Sequence, residues 1–294
     1  MPVYNGERYL EEALRSLVSQ TFEDFELRIS DNASTDGTSA ICRDFASTDP
    51  RIRYKRNAEN VGFARNQNLV MEDAIGDYFL MTHSDDVRLP TYLERTIPIL
   101  DEDPGIMVCY TTTRDIDEQG AFLPRKEPDI HYDSEDRGER FRDIIRMDHL
   151  CEPIFGLTRI SALRQTRLHG DYADSDRVLL AELILRGRFV RLPECLFHRR
   201  AHANQSTAIA ASRQSRTVWY NPAYKDTLIF PHFRQFGEYV TAIGRAPVSW
   251  STRASCYAAM TRWIRANRRR LIGDVDYAGR EIARPLYHAM TRSN

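Results

Sequence analysis

The sequence predicts an α/β protein: a mostly parallel sheet with helices on both faces. Three observations carry that reading. Over the first 115 residues the apolar positions switch between a period near 3.6 and a period near 2, so helices and strands interleave. The links between these segments are short, as in sheets whose strands are joined through helices. Polar residues gather where strands end, at Asp31-Asn32 and at Ser84-Asp85-Asp86, and sheets of this kind bind ligands beyond the carboxyl ends of their strands.

The elements follow in order. Leu10, Ala13, Leu14, Leu17 and Val18 have helical spacing and predict a helix over Glu7 to Gln20. Phe25 to Ile29 alternates like a strand. Ser34 and Thr35 then open a helix running through Ile41 and Phe45, with Asp36 suited to its first turn. Ile52 to Arg56 reads as a short strand, Phe63 to Ala74 as a helix closed by Gly76, and Tyr78 to Met81 as a buried strand. Pro90 to Leu100 is a helix with proline near its start, and Ile106 to Tyr110 is a strand. Further on, Val178 to Leu185 is an apolar helix, Phe189 to Leu196 a strand, and Ser251 to Met290 helical in pattern.

Composition excludes several classes. A net charge of −1 argues against a general nucleic-acid binder. No apolar run approaches the roughly 18 residues of a membrane span. Met1 to Glu7 has neither a basic nor an apolar leader region, so no signal peptide is expected. Five cysteines, far apart and without a CxxC, fit a reduced, cytoplasmic setting. None of the 14 glycines is paired at i and i+2, so neither a dinucleotide fingerprint nor a Walker loop is present. A nucleotide would be held by side chains and a metal. Asp and Asn also favour turns, so spacing alone leaves a ligand site and ordinary loops both open.

Three stretches narrow the choice. Pro2-Val3-Tyr4-Asn5-Gly6-Glu7, Ser30-Asp31-Asn32-Ala33-Ser34-Thr35-Asp36-Gly37-Thr38 and Asn60-Val61-Gly62-Phe63-Ala64-Arg65-Asn66 resemble, in order and spacing, the opening of family 2 glycosyltransferases with the GT-A fold. The resemblance is close over residues 2 to about 113 and looser to about 206. It implies a nucleotide-sugar-binding half over 1–113 and an acceptor-binding half over 114–206; beyond it the residue pattern reads as a helical C-terminal extension over 207–294. The resemblance further implies inverting transfer from a nucleotide-sugar to a glycan or lipid-linked acceptor, with a divalent cation, Mg²⁺ or Mn²⁺, neutralising the departing diphosphate.

The same resemblance assigns roles. Asp86 would bind the metal, and Asp85 would face the ribose or donor sugar. Asp31 would accept a hydrogen bond from the base, Tyr4 would stack near it, Pro2 would shape that wall, and Arg65 would belong to the donor side. Where many members have Asp-x-Asp-Asp, this chain has His83 at the first place. Of the acids in Asp171-Tyr172-Ala173-Asp174-Ser175-Asp176, Asp174 stands where the general base is expected, with Asp176 the second candidate; capping of the following helix is the plain reading. Phe197-His198-Arg199-Arg200-Ala201-His202 resembles the segment near the diphosphate. It makes Arg199 or Arg200 a phosphate clamp and His202 a metal or phosphate contact. A sugar nucleotidyltransferase and a non-catalytic protein of the same fold are the alternatives.

Two further expectations concern the ends. Family members have several apolar residues before Pro-Val-Tyr-Asn, whereas here Met1 directly precedes Pro2, so the first strand is expected to be truncated. Residues 245–294 hold ten arginines and three acids, a basic segment that could rest on an anionic membrane.

Overall fold

The computed structural model describes residues 1–125, 130, 132–146, 151–203, 213–225 and 227–291. Its first layer is a parallel sheet, β1 (Pro2–Val3), β2 (Leu27–Asp31) and β3 (Ile52–Arg56), with β2 in the middle. The helices α1 (Glu7–Val18) and α2 (Thr38–Thr48) connect them. Tyr9, Leu10, Ala13, Leu14 and Leu17 form the buried stripe of α1, the i, i+3, i+4 pattern read from the sequence. Leu10, Leu14 and Leu17 pack in one cluster with Val3, Leu27, Ile29, Cys42 and Ile52. Each fully buried side chain of this kind contributes about 1.5–3 kcal/mol. The first strand is short but paired: Pro2 and Val3 lie opposite Ser30 and Asp31, and the Met1 amino group donates to the Arg28 carbonyl at 2.6 Å.

The second sheet is mixed. Its strands are β4 (Tyr78–Leu80), β5 (Val87–Arg88), β6 (Ile106–Ile116), β7 (Leu157–Arg159) and β8 (Arg188–Arg200), in the order β4-β7-β6-β8-β5. Only β6 and β8 pair in parallel. The antiparallel pairs come from β4, β5 and β7, which have two or three residues each. β5 and β7 are too short to show a period in the sequence, so a mostly parallel sheet is what the longer segments alone predict.

Helix α2 also starts later than its Ser34-Thr35 signal. Residues 34–37 are spent on the neighbouring loop instead. Ser34 Oγ accepts from the Asn5 amide at 2.9 Å, Asp36 Oδ2 from the Glu7 amide at 3.2 Å, and Glu7 Oε2 from the Gly37 amide at 2.5 Å. The loops after β1 and β2 are thereby tied together at one edge of the sheet.

Helices α3 (Phe63–Glu72), α4 (Tyr92–Glu102), α5 (Arg137–Ile144), α6 (Ile160–Leu163) and α7 (Ser175–Ile184) complete the core. Helix α7 is buried on almost every side through Val178, Leu179, Leu180, Ala181, Leu183 and Ile184. The Pro231–Arg245 helix packs against it, and the 42-residue helix Trp250–Thr291 packs on that helix and on α5. The C-terminal extension is thus helical. The boundary expected near residue 206 lies outside the described residues. The Arg213–Tyr220 helix returns to α3, where Gly62 has φ 83° and an added Cβ would meet the Tyr220 carbonyl at 2.7 Å, so only glycine fits that junction. Among the described residues, no helix is long and apolar enough to cross a membrane.

Candidate active site

The site is built at the ends of β2, β4 and β8. Asparagines fix its floor. Asn32, just past β2, accepts from the Val61 amide at 2.9 Å and donates to Asn60 Oδ1 at 2.8 Å. Asn66, on α3, accepts from Ser30 Oγ at 2.7 Å and donates to the Ser30 carbonyl at 3.0 Å. These bonds lock the start of α3 against β2. The loop after β1 approaches the loop after β4 so closely that a Cβ on Gly6 would meet Ser84 Oγ at 2.8 Å.

That second loop carries the acidic pair. One ligand atom from each of His83, Asp85 and Asp86 lies within 4.8 Å of the others. Asp86 is 4% exposed, and its Oδ1 accepts from the Arg200 amide at 3.0 Å. Burial, with the Asp85 charge beside it, pushes the Asp86 carboxyl up to about 8. Burial opposes ionisation of Asp85 too. The His202 hydrogen bond leads the opposing effects and brings that carboxyl below its ordinary value. His202 Nε2 is 2.9 Å from Asp85 Oδ2. Burial lowers the His83 imidazole, so it is neutral and able to act as a ligand at neutral pH. A buried carboxyl that resists ionisation, next to a second carboxylate and a neutral imidazole, is a donor set that fits a divalent cation.

Below the pair lies Arg200, 3% exposed. It donates from Nε to the Asp85 carbonyl at 3.0 Å, from Nη1 to the Asp117 carbonyl at 3.0 Å and from Nη2 to Glu12 at 2.6 Å, with its guanidinium over the Tyr9 ring. Arg200 is therefore fully engaged in holding the loop. Arg199 donates to Asp115 at 2.9 Å and Arg65 to Glu72 at 2.6 Å, so both candidate donor contacts are paired within the protein. Tyr4 is 47% exposed just after β1, and Pro2 is buried within it. Asp31 is turned inward: Oδ1 accepts from the Ser34 amide and Oδ2 from Tyr54 Oη, each at 2.8 Å, and the residue is fully buried.

Helix α3 meets the acidic pair through Gln67 and the approach to α7 through Asn68. His83 Nε2 is 3.2 Å from Gln67 Nε2. Burial, with a smaller contribution from His83, lowers His169 to about 4. His169 Nδ1 is 3.3 Å from Ser175 Oγ at the first turn of α7, and Asn68 clasps the His169 backbone at both its amide and its carbonyl. The acids flanking Ser175 differ sharply. Asp174 takes the left-handed conformation, φ 64°, and pairs with Arg216 at 2.5 Å, while its amide donates to Tyr220 Oη at 3.3 Å. Asp176 is raised above the ordinary carboxylate range by burial and by the Asp174 charge. Gln67, His169, Glu12 and Arg216 were not singled out by the sequence reading. Gln67 alone had a signal, since it directly follows the Asn60–Asn66 stretch.

A family model described as "Glycosyl transferase family 2" matches residues 1–169, more than half of the chain. The chain belongs to glycosyltransferase family 2. An uncharacterized glycosyltransferase of Haemophilus influenzae is 26% identical over 231 residues, 73% of this chain and 68% of the relative. The chondroitin synthase of Escherichia coli is 31% identical over 123 residues, 42% of this chain but only 18% of that protein. Other curated relatives share less than half of their length with this chain. The glycosyltransferase fold is shared with S. aureus TarS 1-349 in complex with UDP-GlcNAc (TM-score 0.58, 17% identity, 93% of this chain and 87% of that one). It is shared also with the mannosyltransferase PcManGT of Pyrobaculum calidifontis in complex with GDP-Man and Mn²⁺ (TM-score 0.53, 17% identity, 96% and 84%). The GT-A fold expected from the sequence is the one found, and the family 2 chain is a glycosyltransferase rather than a nucleotidyltransferase or a scaffold.

Proposed function

We propose that this glycosyltransferase is inverting and metal-assisted, moving a sugar from a nucleoside diphosphate sugar to a hydroxyl of a glycan or lipid-linked acceptor. The observation that carries the reading is the His83-Asp85-Asp86 cluster, met by Gln67 of α3, while the next residue of α3, Asn68, holds the His169 backbone ahead of α7. The solved neighbours that hold UDP-GlcNAc, or GDP-Man with Mn²⁺, support a nucleotide-sugar donor here.

Asp86 and Asp85 would hold the cation, with His83 as a third donor; bound there, it supplies Lewis-acid neutralisation of the leaving diphosphate. A mixed nitrogen and oxygen donor set favours Mn²⁺ over Mg²⁺. His202 orients Asp85, and Arg200 holds the loop that carries both carboxylates. The acceptor oxygen attacks the anomeric carbon, the bond to the β-phosphate oxygen breaks, and the hydroxyl proton passes to a carboxylate at the start of α7. The charge of Asp174 is already answered by Arg216. Burial and the neighbouring Asp174 charge raise the Asp176 carboxyl, and Asp174 is held by Arg216, so we place the base at Asp176 with Asp174 as the anchor of Arg216. A single displacement of this kind inverts the anomeric centre. On the donor side Tyr4 offers its exposed ring to the base, while Asp31 and Pro2 shape the wall behind it. The five free cysteines agree with a cytoplasmic enzyme.

Thermal melting of the purified protein with a panel of UDP-, GDP- and dTDP-sugars tests the reading. A ligand at about 100 times its Kd adds about 2.7 kcal/mol, a shift of several degrees. At least one nucleotide-sugar should give it with Mn²⁺ and lose it with EDTA. A panel without any shift would overturn the donor class, and a shift indifferent to EDTA would overturn the metal.

A further inference from the structure

The long C-terminal helix Trp250–Thr291 has a second face that the fold does not use. Its core side presents Cys256, Ala259, Met260 and Trp263. With 3.6 residues per turn, Trp250, Tyr257, Ile264, Ile272 and Val275 fall within an arc of about 80° on another side. They are exposed by 80, 39, 39, 57 and 54% respectively. The strip runs along about 38 Å of helix. At its far end Phe233 is 44% exposed, with its amide directed at Asp274 of the same helix.

The charge around the strip is predominantly positive. Arg268 lies within the arc and Arg265 and Arg269 beside it, all exposed. Among the described residues none of these three is in an ion pair, and Asp276 is the one exposed acid of the helix over residues 250–280. A second copy of the chain laid on this face would bring arginines against arginines. An anionic bilayer answers both features at once: the aromatic and aliphatic side chains enter the interface, and the guanidiniums meet lipid phosphates. We propose that this face of the Trp250–Thr291 helix docks the enzyme on an anionic lipid surface. The proposal does not depend on the transfer chemistry.

The experiment is co-sedimentation of the whole chain with phosphatidylcholine vesicles, with and without about one third phosphatidylglycerol, at low and high salt. Binding should need the anionic lipid and weaken with salt. Arg265→Glu with Arg268→Glu and Arg269→Glu should cut it at least tenfold, and so should Trp250→Ser with Ile264→Ser and Ile272→Ser. All six positions are exposed, so both variants should keep the parent's melting temperature. Equal binding to neutral and anionic vesicles, or no binding, overturns the proposal. So does binding that survives either triple substitution. A concentration-dependent dimer lost in the serine variant, without vesicle binding, would instead assign the face to a second copy.

Discussion

Arg216 and Asp174 form an ion pair at 2.5 Å across 42 residues of chain, and it separates two acids that look equivalent in sequence. The Arg216 guanidinium answers Asp174, whereas burial raises Asp176. Asp176→Asn should therefore lower kcat by about 10²-fold or more at saturating donor and acceptor, with donor binding kept. Asp174→Asn should cost less and act partly through the release of Arg216. The parent's kcat/KM should fall on the acid side with an apparent pKa above the ordinary carboxylate range, and that limb should vanish in Asp176→Asn. If Asp174→Asn abolishes the limb and Asp176→Asn does not, the base is Asp174.

Asp86 should fail in another way. Asp86→Asn removes a hard ligand from the cluster of His83, Asp85 and Asp86. Donor affinity and transfer should drop together, and millimolar Mn²⁺ should restore part of both. A normal donor Kd in Asp86→Asn, measured calorimetrically with Mn²⁺ present, would remove Asp86 from the cation site.

The two acids at 85 and 86 were legible because they form a run directly after an apolar strand. His83 was legible only as a departure from a pattern, and its place beside Asp86 depends on how the loop folds. Glu12 could not be read at all: it is an ordinary exposed position of α1 until Arg200, 188 residues later, reaches it. The inward turn of Asp31 depends on Tyr54, which sits on the next strand at 2.8 Å. Local periodicity reports which face of an element is buried. It does not report which side chains of distant elements meet, and the site consists mostly of such meetings.

His169 predicts a pH dependence of stability. Burial lowers its imidazole from 6.5 to about 4, so the folded state holds it neutral while the unfolded chain protonates it below about 6.5. Between those values the unfolded state binds more protons, so stability falls as pH falls. The contribution is complete above pH 6.5, smaller by about 2 kcal/mol at pH 5 and exhausted below 4. His169→Gln should flatten this part of the urea-denaturation profile between pH 7 and 5. A variant whose loss over that range equals the parent's would show that His169 is not the group responsible.

Arg200 and Glu12 should differ in stability although they share a bond. Arg200 is 3% exposed and makes three side-chain hydrogen bonds, two of them to backbone carbonyls of the Asp85 and Asp117 loops. Arg200→Met keeps an unbranched apolar stem and removes every donor, leaving those carbonyls without their partner. The expected cost is about 2–4 kcal/mol, since bonds from a charged donor are worth roughly 1.5–3 kcal/mol each and do not add fully. The Glu12 carboxylate is 56% exposed, so Glu12→Gln exchanges one solvated contact for another and should cost less than about 1 kcal/mol. Urea midpoints at constant slope measure both. The double variant should match Arg200→Met within about 1 kcal/mol, because the ion pair is the smaller part of what Arg200 does. If Arg200→Met melts with the parent, the guanidinium does not hold the loop, and the position of Asp85 and Asp86 must be set by the Arg200 amide and the β5–β8 register alone.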